Sequence, residues 1–161
     1  MEQRLDMFGN ALGARISKRF AAVSAAVLEA SLPKTLVELV LLRVSQINGC
    51  GFCADAHTKE AAAAGESAVR INLVATWRHA SVFTEAERAA LALAEEGTRI
   101  ADAAGGVSDR TWALVREHYD EDQTVALVYL VAMINAANRL GVICNQVGGS
   151  YELGALAAAS S

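Results

Sequence analysis

Proline is almost missing from this chain: Pro33 is the single one in 161 residues. Aromatic residues fill 6% of positions, and cysteine occurs three times. Each scarcity excludes something. No run of alternating β-branched and aromatic residues stands between turn signals, so the marks of a sheet protein are lacking. Three cysteines are an odd number and too few for a secreted disulfide framework. Basic charge is in deficit, 14 Lys and Arg against 18 Asp and Glu, giving a formal charge of −4 and a pI near 5.4. No broad positive field therefore draws the chain to nucleic acid or to anionic lipid. The opening MEQRLDMFGN has no continuous apolar run, so no secretory signal is visible and a cytoplasmic protein is expected. The longest uncharged stretch, Thr124 to Asn138, is interrupted by two asparagines. It falls short of the roughly 20 apolar residues of a membrane span, and no membrane partner is expected.

What is present is apolar material at helical spacing. Hydrophobic residues make up 53% of the chain, and a domain of this length can bury roughly 70% of its unfolded surface without staples. No linker or repeat divides it, so one domain over residues 1–161 is expected. Apolar residues recur three and four apart almost throughout, which predicts an all-α fold. A first helix is expected over Leu12 to Ala30, with Ile16, Phe20, Val23 and Val27 on one face. Pro33 suits the first turn of a second helix, to Ile47. A third is expected from Phe52 to a glycine cap at Gly65, and a short fourth from Ala68 to Trp77. Thr84-Glu85-Ala86-Glu87 has the form of a capping box opening a helix to Thr98. Ser108 or Asp109 can cap one to His118, and Asp120-Glu121-Asp122 can start a long one from Gln123 to Leu140, closed by Gly141. Between Val125 and Ile134 that last helix is apolar nearly all round. It is either a central core helix or partly covered by another subunit.

Chemistry concentrates between Glu38 and His57. Cys50 and Cys53 stand three apart at a turn leading into a helix, where their sulfurs can pair reversibly. His57 follows Cys53 by four, which places the imidazole and the thiol on one face and within proton-exchange reach. The free amides at a helix start favour thiolate over thiol. Glu38 sits among Leu36, Val37, Leu39, Val40, Leu41 and Leu42. A carboxylate partly buried there needs a partner and is a candidate general base. Other readings remain. The cysteines can be inert packing, or two ligands of a zinc site with His57, although Cys144, His79 and His118 lie far off in sequence. Covalent haem attachment needs His directly after the second Cys, where Ala54 stands. A thioredoxin-type domain needs strands and a cis-proline that this sequence does not offer.

This segment resembles the core motif of the alkylhydroperoxidase D-like (AhpD-like) branch of the carboxymuconolactone decarboxylase family. The likeness rests on the spacing of Glu38, Cys50, Cys53 and His57, and on Ser45-Gln46-Ile47-Asn48-Gly49. It extends to Trp77-Arg78, to Phe83-Thr84-Glu85-Ala86-Glu87-Arg88-Ala89-Ala90-Leu91 and to Ile134-Asn135-Ala136-Ala137-Asn138-Arg139-Leu140. The resemblance implies a helical homo-oligomer, a trimer or hexamer, with its site near a subunit interface, and thiol peroxidase activity on organic hydroperoxides. Cys53 would be the peroxidatic thiol, Cys50 the resolving one, and Glu38 with His57 the proton relay. A dithiol, from a lipoyl-carrying adaptor or a thioredoxin-like protein, would reduce the pair. No metal or cofactor is expected.

The chain departs from that pattern at Phe52, where the best-studied members carry a second His between the cysteines. That departure leaves general disulfide exchange or redox sensing as the alternative task. Outside the motif, His79 and His118 read as surface residues and Cys144 as a small buried hydrophobe. Asn138 and Arg139 read as caps or subunit bridges, and Trp77, Trp112 and Tyr129 as core or interface.

Overall fold

A computed structural model describes residues 2–103 and 105–158, and among them there is no strand. The helices are α1 (Ala11–Leu28), α2 (Lys34–Asn48), α3 (Gly51–Ala63), α4 (Ala68–Leu73), α5 (Glu85–Thr98), α6 (Asp109–His118), α7 (Glu121–Ile143) and α8 (Ala155–Ala158). A 3₁₀ turn over Val74–His79 continues α4. The short fourth helix expected from the sequence is thus split, because Thr76 leaves helical dihedrals (φ −123°, ψ 30°).

The starts of these helices are set by short polar side chains. Asn10 accepts from the amides of Leu12 and Gly13, at 3.0 and 3.1 Å. Ser67 and Ser108 accept from Arg70 and Thr111. Thr84 and Glu87 form the reciprocal capping box that the sequence predicts. Asp120 and Gln123 form a second one, so α7 begins at Glu121, two residues before the expected start. At the other ends, Gly49 (φ 68°) closes α2 and Gly65 (φ 93°) follows α3, conformations that cost a Cβ-bearing residue energy.

The core is built around α2. Leu36, Val37, Leu39, Val40, Leu42 and Val44 are all buried, and α2 packs on α3, α5 and α7. Opposite it, α5 offers Ala89, Ala90, Ala92 and Ala94 among its buried residues. Their small side chains let the two helices approach closely while Leu91 and Leu93 fill the remaining space. Each fully buried leucine contributes roughly 1.5–3 kcal/mol.

α7 is both a core helix and an exposed one. Thr124, Ala126, Leu127, Leu130, Val131, Ile134, Asn138 and Gly141 are buried, whereas Val125, Val128, Tyr129, Leu140, Val142 and Ile143 face outward. By length and apolarity this helix is sufficient to cross a membrane; here it packs on α1, α2, α3, α5 and α6. It does not stop at Gly141 as the sequence reading had it. Gly141 lies inside the helix and under the cysteine pair: a Cβ there would come 2.7 Å from Cys50 Sγ.

Asn138 departs from its expected role too. It neither caps nor bridges but is fully buried, donating to Ser45 Oγ (3.1 Å) and accepting from Asn48 Nδ2 (2.9 Å). Asn48 also donates to Asn135, which donates to Thr98. This chain of amides and hydroxyls ties α2, α5 and α7 in one register. Arg139 turns back on its own helix, donating to the Asn135 carbonyl. Trp77 is buried, but Trp112 and Tyr129 are exposed.

Candidate functional site

The local sequence explains why the site residues meet. Gly49 in the left-handed region turns the chain out of α2, and the Cys50 amide donates back to the Ser45 carbonyl (3.1 Å). Cys50 then becomes the N-cap of α3, its sulfur accepting from the Cys53 amide at 3.3 Å. The two cysteines form a disulfide, with Cα atoms 5.3 Å apart, inside the ordinary range for such a bond. One turn further along α3, His57 is buried beside Ala56 and Ala61.

Glu38, buried on α2, takes the place the sequence assigned it. Its Oε2 lies 2.9 Å from His57 Nδ1. With the ring proton placed on Nδ1, that nitrogen donates to the carboxylate and Nε2 is left as the proton-accepting nitrogen. A buried carboxylate is stable here because it has this partner. The four candidate residues therefore come together as two adjacent pairs: a disulfide at the head of α3 and a carboxylate–imidazole pair one turn below it.

A cavity of about 320 Å³ opens beside them. Its wall includes Cys53, Glu38 and His57 but not Cys50. The rest of the wall is mainly apolar: Ile16, Phe20 and Val27 from α1, and Leu130, Met133 and Ile134 from α7 supply much of it. Phe52 also lines the cavity and meets the ring of Tyr151 edge-on, centroids 6.1 Å apart.

The C-terminal segment closes over this region by contacts that sequence reasoning missed. Asp55 accepts from the amides of Gly149 (2.7 Å) and Tyr151 (3.0 Å), and Lys59 donates to the Tyr151 carbonyl (2.9 Å). The Tyr151 hydroxyl donates to Glu60 at 2.6 Å. Lys59 and these amides hold the Asp55 carboxyl below its usual range, and the Tyr151 hydroxyl and the Gly154 amide do the same for Glu60. Burial, with Glu60 beside it, pushes the Tyr151 phenol up to about 12. Gly148 presses so close on the Gly51 carbonyl that no Cβ fits there. The one signal for all this was the Gly148-Gly149 pair, because glycine marks places where two backbones meet. Its partners lie more than 90 residues away in sequence.

The other candidates stand apart. His79 is exposed in the 3₁₀ turn, His118 half-buried at the end of α6, and Cys144 buried and unpaired at the end of α7. Among the described residues, no three His, Cys, Asp or Glu side chains are grouped as metal ligands.

The model of the carboxymuconolactone decarboxylase family matches residues 14–96, just over half of the chain and the whole stretch from Glu38 to His57. The chain belongs to this family. One relative is the uncharacterized protein YdfG of Bacillus subtilis (strain 168). The two are 41% identical over 114 residues, 71% of this chain and 76% of YdfG. Among solved structures, a protein of unknown function from Agrobacterium tumefaciens, ATU0492, carries the provisional designation antioxidant defence protein AhpD. It superposes with a TM-score of 0.84 at 31% identity, covering 93% of this chain and 100% of that one. An uncharacterized peroxidase-related protein of Ralstonia eutropha JMP134, described as an alkylhydroperoxidase AhpD core, gives 0.71 at 20% identity over 86% and 74% of the two chains. At that identity the likeness speaks to fold alone. The fold is AhpD-like and all-helical.

Proposed function

We propose that this family member is a thiol-dependent peroxidase acting on organic hydroperoxides. The observation that carries this reading is the asymmetry of the cysteine pair. Cys53 shares an apolar cavity with the Glu38–His57 pair, and Cys50 is not part of its wall. In the reduced protein His57, steadied by Glu38, takes the Cys53 thiol proton. The thiolate attacks the terminal oxygen of ROOH; an S–O bond forms, the O–O bond breaks, and the alkoxide takes the proton back to leave as ROH. Cys50 then attacks the sulfenic sulfur, the S–S bond forms and water leaves. A dithiol reduces the disulfide by exchange and is itself oxidised, so each turnover converts ROOH and a dithiol into ROH, water and a disulfide.

A lipoyl-carrying adaptor or a thioredoxin-like protein fits the reductant's role. We place the protein in the cytoplasm as a homo-oligomer, a trimer or hexamer, with residues 1–161 as one domain. The outward apolar residues of α1 and α7 are the surface such an assembly would cover. A second reading, disulfide exchange or redox sensing without peroxide as the natural oxidant, is favoured by Phe52. Its ring stands where a second histidine would assist proton transfer.

The deciding experiment is reaction of the reduced protein with one equivalent of an organic hydroperoxide, followed by intact mass and peptide mapping. Rapid loss of two hydrogens at Cys50 and Cys53, abolished in Cys53→Ser, is expected. A rate no faster than that of a free thiol overturns the peroxidase reading in favour of exchange.

A further inference from the structure

The wall of the cavity holds a third polar group beside Cys53 for which the reaction above has no task. Gln146 lines the same space as Cys53, Glu38 and His57. The position that a Cβ on Gly141 would take lies 2.7 Å from Cys50 Sγ, 3.6 Å from Cys53 Sγ and 3.4 Å from Gln146 Oε1, so the amide and both sulfurs crowd one spot. The Gln146 side chain is half-buried, makes no hydrogen bond to the described residues and opens on the cavity. Both its ends are free to meet a ligand, since a primary amide can turn either its oxygen or its NH₂ toward the cavity.

The fold fixes this residue in place. The Gln146 backbone amide donates to the Gly141 carbonyl (2.9 Å), and Asn145 before it takes the left-handed conformation (φ 53°) that ends α7. Two residues later Gly148 abuts Gly51, inside the cysteine motif itself, and Asp55 then holds the amides of Gly149 and Tyr151. The C-terminal segment is thus tied to α3 on the far side of Gln146, while α7 holds it on the near side. An unpartnered amide held at both ends beside reactive sulfurs is placed as oxyanion-binding groups are.

We infer that Gln146 is a substrate-contacting residue, whose side-chain NH₂ donates a hydrogen bond to the hydroperoxide in the Cys53 cavity. This inference rests on the peroxidase reading. The amide does not titrate and moves no proton. It orients the O–O bond toward Cys53 and stabilises negative charge on the alkoxide as the bond breaks, while His57 supplies the proton. Ser17 and Ser24 are the other uncharged hydrogen-bonding side chains in the wall, and both come from α1.

The test uses full-length protein and cumene hydroperoxide in single-turnover stopped flow, comparing wild type with Gln146→Met and Gln146→Glu. Methionine keeps the length and removes the donors; glutamate keeps the shape and replaces the donors with acceptors. The second-order rate constant for sulfenic acid formation is expected to fall about 10- to 100-fold in both variants. In Gln146→Met, iodoacetamide alkylation of Cys53, its pH profile and reduction of the disulfide by dithiothreitol are expected to stay as in wild type. The carboxylate of Gln146→Glu is expected to shift the alkylation profile to higher pH, so the comparison of the peroxide step with alkylation and exchange is read on the methionine variant. A merely structural Gln146 would move these together with the peroxide step. Undiminished peroxide rates in both variants, with a fast wild type, overturn the role of Gln146 and leave the peroxidase reading standing. A parallel loss of alkylation and exchange also overturns it. A wild type no faster than a free thiol overturns the peroxidase reading, and this inference with it.

Discussion

Two neighbouring helices wall the cavity in opposite ways. α2 buries eight of its 15 residues, including Glu38, whereas none of the 18 residues of α1 is buried. Both are amphipathic and both carry leucine, valine or isoleucine at helical spacing. The difference lies in what they pack against. α2 has α3, α5 and α7 around it, while α1 touches mainly α7 and turns Ile16, Phe20 and Val27 toward the cavity. The comparison teaches that periodicity announces a helix and its apolar face but not what that face meets. One helix supplies rigidity to the proton-handling pair; the other supplies an apolar wall that a substrate or another copy of the chain can cover.

Substitutions can break or sharpen that contrast. Leu39→Ala in α2 removes a fully buried side chain and is expected to cost about 2–5 kcal/mol in urea unfolding. Next comes Glu38→Gln, expected to slow peroxide reduction roughly 100-fold and to change the pH profile of Cys53 alkylation. An unaltered profile would leave Glu38 a structural partner of His57. Gly141→Ala drives a methyl against Cys50 and is expected to cost about 1–3 kcal/mol. Urea titrations that match wild type would mean that the disulfide gives way there.

A smaller effect concerns pH. Asp55 and Glu60 titrate below their ordinary range, so what they add to holding the C-terminal segment is present in full above that range and is lost as pH falls below it through their lowered folded-state values. Tyr151 runs the other way. Its stabilisation is complete below the phenol's ordinary value of 10.0 and disappears as pH rises through about 12. NMR shifts of the Gly149 and Tyr151 amides are expected to move at both extremes and stay flat between. Least affected is Val23→Ala, 40% exposed on α1, at under about 1 kcal/mol in the same urea titration. A loss comparable to that of Leu39→Ala would show that α1 is buried in solution, by an assembly.

Local physics was legible in the sequence. The Thr84 capping box, the Pro33 start, the Gly65 cap and the burial of Glu38 all follow from neighbours within a few residues. The Glu38–His57 contact was also within reach, because both flank one turn. What escaped depends on distance. Gly141 reads as a helix end when judged alone, yet it is a helical position left bare for Cys50. Asn138 reads as a cap until α2 is laid beside α7 and supplies Ser45 and Asn48. Gln146 and the Asp55 and Glu60 contacts join chain segments about 90 residues apart, with no local pattern to announce them.

The sulfur of Cys50 receives the Cys53 amide at the head of α3. That one atom therefore does two jobs: it caps α3 and it closes the disulfide. Replacing Cys50 by alanine removes both at once, whereas serine breaks the S–S link but leaves an oxygen that can accept the Cys53 amide, so the pair of substitutions separates the helix start from the covalent tie.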